Sequence, residues 1–174
     1  MKNICLYVPK LEDYWYEEKL LSDASTMSYN AGYNVSYFGY HYDTGCIDFP
    51  KDKWEEAFDK RKNDNYYFAY IKDIDLDEFV GYVNYNLKDD KYECGIVIES
   101  KYRGMGYSKD ALKLLCDVAK SKGIKELYDR FEINRGNTLS LFESVGFEVI
   151  ETLTWKKFDM DVSGVVVRRV LWHI

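Results

Sequence analysis

A chain of 174 residues is long enough to bury one full hydrophobic core without disulfide support. Its 24 basic residues are dispersed and outnumbered by 30 acidic ones, a formal charge of −6, which excludes binding to a nucleic-acid backbone as the main activity. No apolar run approaches the roughly 18 residues of a membrane span, and Met1 to Leu6 meets Pro9 and Lys10 too early for a secretory signal; the expectation is one cytoplasmic domain over 1–174, a monomer or homodimer.

Residues 3–8 read as a first strand. From 11 to 23 the positions of Leu11, Trp15, Leu20 and Leu21 fit a helix, and 51–62 fits a second, with Trp54, Ala57 and Phe58 on one side. Between them lies a tyrosine-rich stretch in which Tyr33, Tyr37 and Tyr40 are interleaved with Asn30, Asn34, Gly32 and Gly39. It is too polar for a core and too aromatic for a plain linker. It reads either as one wall of a substrate pocket or as a loop packed over a sheet. Three strands follow at 65–72, 78–87 and 91–99, the last two joined at Lys88-Asp89-Asp90.

The most informative stretch comes next, Tyr102-Arg103-Gly104-Met105-Gly106-Tyr107-Ser108, placed between the strand and a helix whose apolar face is Ala111, Leu112, Leu114, Leu115, Val118 and Ala119. A glycine-rich turn opening into a helix leaves backbone N–H groups unpaired at the positive end of the helix dipole, a seat for phosphate. Glycines at 104 and 106 permit the turn and the close approach of an anion, and Arg103 adds charge at the rim. The order Ser108-Lys109 excludes the Walker pattern, and Lys109 excludes the third glycine of the dinucleotide fingerprint. Beyond Gly123 a strand is expected at 124–133, a turn at 134–137, a helix at 138–145 ending in Gly146-Phe147, and strands at 147–158 and 165–172 joined around 159–164.

Cys5, Cys46, Cys94 and Cys116 are far apart, with only His41 and His173 to join them, so no metal is expected and the thiols read as reduced.

The spacing Arg103-x-x-Gly106-x-Ser108, followed by an asparagine-led helix that ends in Gly146-Phe147, resembles the two signatures of the GCN5-related N-acetyltransferase (GNAT) superfamily. The resemblance implies an α/β (α+β) fold: a central mixed, mostly antiparallel sheet of about seven strands flanked by about four helices. It implies acceptor-side elements at 11–62 and an acetyl-CoA-binding core at 77–158, with Val97, Ile98, Arg103, Gly104, Met105, Gly106, Tyr107, Ser108, Asn137 and Phe142 against the cofactor; Asn134 is the alternative to Asn137. Tyr33, Tyr37 and Tyr40 are then expected at the acceptor. The oxyanion donor is expected to be an amide near Val97 or Ile98, freed by a bulge, and the base Glu93, with Glu132 as second choice. Phe142 stands where members with a tyrosine acid carry it, and a phenyl ring cannot protonate a thiolate. Acetyl transfer from acetyl-CoA to a primary amine is the implied activity, in a chain most like the branch that acetylates ribosomal-protein N-termini or amino sugars. The alternative is a non-catalytic acyl-CoA-binding or interaction module.

Overall fold

The computed structural model describes residues 1–172, so His173 lies outside the described residues. In chain order the elements are β1 (Ile4–Tyr7), α1 (Trp15–Ser22), α2 (Ala24–Met27), α3 (Trp54–Lys60), β2 (Tyr66–Asp73), β3 (Glu78–Lys88), β4 (Lys91–Ile98), α4 (Tyr107–Ser121), β5 (Glu126–Glu132), α5 (Thr138–Ser144), β6 (Glu148–Lys157) and β7 (Met160–Val170). The strands form a single seven-stranded sheet in the order β1-β2-β3-β4-β5-β7-β6. Every neighbouring pair is antiparallel except β4 and β5, because α4 carries the chain across between them.

Both faces of the sheet are covered at its centre, and β2 shows how its sequence achieves this. Phe68 and Tyr70 pack with Tyr16 and Leu20 of α1, while the intervening Ala69 and Ile71 join Val83, Tyr85, Leu112 and Leu115 beneath α4. Leu112 and Leu115 are wholly buried, each contributing roughly 1.5–3 kcal/mol of apolar burial. Among the described residues no helix is long and apolar enough to cross a membrane, and no cluster of His, Cys, Asp and Glu is arranged to hold a metal ion.

Two boundaries differ from the sequence expectation. The helix expected over 11–23 starts later, its first residues Leu11–Asp13 forming a separate 3-10 turn. Beyond its end at Ser22 comes a short helix the sequence reading did not foresee, α2, started by Asp23, whose backbone is extended and whose carboxylate accepts from Ser25 N–H and the Thr26 hydroxyl. Among the described residues there are five α-helices. The loop expected at 159–164 is instead a two-residue turn, Phe158-Asp159, with φ of +50° and +59°, so β7 begins at Met160. Positive φ at both positions matches the twist of a tight hairpin, and Asp89-Asp90 closes the β3–β4 hairpin in the same way.

Candidate active site

The parallel strands β4 and β5 are in register at one pair, Glu93 with Tyr128, and diverge beyond it. On its other side β4 stays regularly paired with β3 up to Ile98 opposite Gly81. The bulge expected near Val97 is therefore absent. Divergence frees the amides instead: Glu99 N–H bonds Val80 O, so by alternation the amides of Val97 and Gly95 point to β3 and those of Ile96 and Ile98 point into the gap. Val97 is committed to the sheet, leaving Ile98 as the donor of the expected pair.

At the end of β4 the glycine-rich turn leads into α4. Gly104 and Gly106 have φ of +76° and +88°, and a β-carbon at either would meet open space. No side chain caps this helix, and among the described residues the amides of 104–109 donate to no protein acceptor. They stand at the dipole's positive end, with Ser108 and Lys109 beside them. These open N–H groups fit the phosphates of a coenzyme. Arg103 instead ties the turn to α2, its Nε donating to Ile98 O (3.2 Å) and its terminal nitrogens to Ser25 O (3.1 Å) and Thr26 O (2.7 Å). Tyr107 turns its side chain into the core, where its hydroxyl donates to Asp73 at 2.6 Å. Met105 is exposed and outside the groove.

The gap and the turn form one groove of about 790 Å³, which also includes Asn134, Arg135, Asn137, Leu141, Phe142 and Lys157. Both asparagines line it. Phe142 is almost wholly buried between Phe131 and Phe147, so it supplies a wall and no proton. A second, open cavity, of about 560 Å³, is lined by Tyr29, Asn30, Tyr33, Asn34, Val35, Arg130, Phe131, Glu132, Arg135, Trp155 and Lys156. Tyr29, Glu132 and Arg135 line both spaces and mark where they meet.

Of the three expected acceptor tyrosines, only Tyr33 faces this second cavity. Tyr40 holds the loop together, its hydroxyl donating to Asn30 O (2.6 Å) and accepting from Tyr33 N–H (3.1 Å), and Tyr37 is half exposed beside it. His41 bonds Asp48 at 2.9 Å. Of the two expected bases, Glu93 borders neither space and reaches only Arg130, at 4.0 Å. Glu132 lies at the junction, its carboxylate accepting from Lys157 Nζ at 2.8 Å.

The sequence reading missed Asp129. It shares the core-facing side of β5 with Leu127 and Phe131, at the point where the gap opens, and it borders the groove. Burial pushes its carboxyl up to about 7, against the smaller opposing pull of the Arg130 amide and the Arg135 charge. The signal was a carboxylate on the apolar parity of a strand. Tyr29 opens the tyrosine-rich stretch read as a possible pocket wall, and it does line the second cavity; Arg135 and Lys157 carried no comparable signal, since their importance comes from chain segments far apart in sequence.

The profile of the acetyltransferase (GNAT) family matches residues 28–147. By sequence no curated protein matches. By structure, an N-acetyltransferase from Staphylococcus aureus Mu50 is 18% identical with a TM-score of 0.75, covering 98% of this chain and 99% of that one. A spermidine N-acetyltransferase from Vibrio cholerae in complex with CoA and spermine is 14% identical at 0.75, covering 97% and 96%. A phosphinothricin acetyltransferase from Sinorhizobium meliloti in complex with acetyl-CoA is 12% identical at 0.75, covering 97% and 88%. With that profile running through both the glycine-rich turn and the Gly146-Phe147 helix, this chain belongs to the acetyltransferase (GNAT) family and is an acetyl-CoA-dependent acyltransferase.

Proposed function

We propose that the chain N-acetylates a primary amine of a small molecule. The amides of 104–109 and the groove of the 77–158 core hold the coenzyme, and the cavity walled partly by the 11–62 segment holds the acceptor. The observation that carries this reading is the meeting of the two spaces at Tyr29, Glu132 and Arg135, beside the divergence of β4 and β5. A volume of about 560 Å³ suits a small ligand better than a protein terminus, which bears on the resemblance to the ribosomal-protein branch. The free cysteines support a cytoplasmic location.

Bound acetyl-CoA supplies an activated thioester, whose C–S bond breaks as the amine nitrogen bonds the carbonyl carbon; CoA departs as a thiolate and takes its proton from water. The amides of Ile96 and Ile98 are positioned to donate to a carbonyl oxygen in the gap, where water-excluded donors are most effective. Asp129, with a carboxyl titrating at about 7, accepts the amine proton directly or through one water. Glu132, bonded to Lys157, orients the amine at the junction.

Binding of acetyl-CoA followed by calorimetry, and thiol release followed with a panel of primary amines, test the reading. Coenzyme binding with turnover on at least one small amine is expected. Binding without turnover on any amine favours the acyl-CoA-binding module, the alternative that Phe142 makes specific. No binding at all overturns both.

A further inference from the structure

The acceptor-side cavity has a sign opposite to that of the chain. Long-range steering by a net charge of −6 favours a cationic amine. At the wall itself Arg130, Arg135 and Lys156 face one carboxylate, Glu132, which is already bonded to Lys157. Lys156 is paired with Asp161 at 2.8 Å, and Arg130 reaches Glu93 only at 4.0 Å. Arg135 has no carboxylate within 4 Å among the described residues, Asp129 acting on it only from farther away. Its guanidinium lies over the Tyr29 ring, 4.1 Å from the centroid, in a half-buried position where cavity and groove meet.

A planar, permanently charged fork of donors held on an aromatic face and left without an internal partner is built to take two oxygens of an anion. A polyamine there would meet like charge in a partly desolvated space. Tyr29, Tyr33 and Trp155 add flat apolar walls beside it.

Resting on the acetyl-transfer reading above, we propose that the acceptor is a small amine that also carries an anionic oxygen group, a carboxylate or its phosphonate equivalent, bound by Arg135 with Arg130 alongside. The amine end then points to the junction at Glu132, and the anionic end selects the substrate. The relatives by structure include both a spermidine and a phosphinothricin enzyme at nearly equal similarity, so the fold does not choose between these chemistries; the lining of this cavity does.

The experiment compares thiol release by the full chain on matched amines: phenylalanine with 2-phenylethylamine, tyrosine with tyramine, 2-aminoethylphosphonate with ethylamine, and spermidine as the polyamine. The anionic member of a pair is expected to exceed its partner by roughly tenfold or more in kcat/KM, because a donor fork left empty is penalised. Arg135→Ala removes that preference through acceptor KM, which rises more than KM for acetyl-CoA although Arg135 also lines the coenzyme groove, and Arg135→Lys restores part of it. Arg130→Ala, at an exposed position, weakens the preference if Arg135→Ala fails to fold. The carboxylate and phosphonate pairs tell the two anion types apart. Preference for spermidine or for the uncharged partners overturns the inference. So does an Arg135→Ala effect confined to acetyl-CoA, or acetyl-CoA binding with turnover of none of the anionic amines. Loss of acetyl-CoA binding in the parent chain, measured separately by calorimetry, is instead the failure of the acetyl-transfer reading.

Discussion

The indole of Trp155 covers Gly164 so closely that a β-carbon at position 164 would stand 1.8 Å from the ring. Trp155 lies on β6 and Gly164 inside β7, two strands joined by the tight Phe158-Asp159 turn, and the missing side chain lets the indole form one wall of the second cavity. Its Nε1 donates to the Tyr33 hydroxyl at 3.4 Å, linking the wall to the tyrosine-rich loop.

Gly164→Ala should therefore push Trp155 out of place. An overpacking cost of about 1–3 kcal/mol is expected in chemical denaturation. Steady-state kinetics should show a raised acceptor KM, with calorimetric affinity for acetyl-CoA unchanged. An unchanged acceptor KM in a destabilised protein would remove Trp155 from the substrate wall.

Gly106→Glu tests the coenzyme seat. Open space around the position leaves backbone strain, of order 1 kcal/mol for a side chain in the left-handed region, as the main folding cost. A carboxylate there competes with phosphate for the amides of 104–109 and should weaken acetyl-CoA by about tenfold or more in calorimetry. Gly106→Ala, with the same strain and no charge, should lose less.

Asp129 gives a prediction in pH. If its carboxylate takes the amine proton, kcat/KM rises with pH through about 7 in the parent chain, and Asp129→Asn loses that limb, whereas Glu93→Gln keeps it. Stability carries the opposite sign. The folded carboxyl titrates at about 7 and the unfolded one near 4. Between these values the folded chain holds a proton that the unfolded chain has released, so the contribution of Asp129 to stability is full below about 4 and declines as pH rises to about 7. Melting temperatures across pH 4–8 should therefore fall less steeply for Asp129→Asn than for the parent.

Away from both cavities an ion pair joins α1 to the end of α3, and its guanidinium packs on β2. Arg61 donates both terminal nitrogens to Glu17 at 2.7 Å, with its guanidinium 3.8 Å from the Phe68 ring centroid. Arg61→Ala leaves the Glu17 carboxylate buried and unpaired and should cost about 3–5 kcal/mol in denaturant unfolding. Replacing both partners with apolar residues should cost much less, which a double-mutant cycle will show.

The coenzyme side of the site was legible in the sequence because it is local. The amides of 104–109, the glycines and the helix that follows lie within a few residues, and their geometry follows from backbone rules that neighbouring residue types reveal. The proposed base was less legible. Glu93 and Asp129 are both carboxylates on neighbouring strands, and only the divergence of β4 from β5 places Asp129 at the groove and leaves Glu93 outside it. Likewise Tyr37 and Tyr40 look like Tyr33 in sequence, yet Tyr40 commits its hydroxyl to Asn30 and the Tyr33 amide.

By itself, then, the order of turns, glycines and apolar periods determined the element succession and the seat for a phosphate, since these depend on contacts between residues close along the chain. The second cavity, proposed for the acceptor, was decided by tertiary structure. Tyr29, Arg135 and Trp155 meet there from three separate segments, and the local charge their assembly creates runs against the charge of the whole chain, because an electrostatic field at a wall is set by the groups within a few ångströms of it and not by composition.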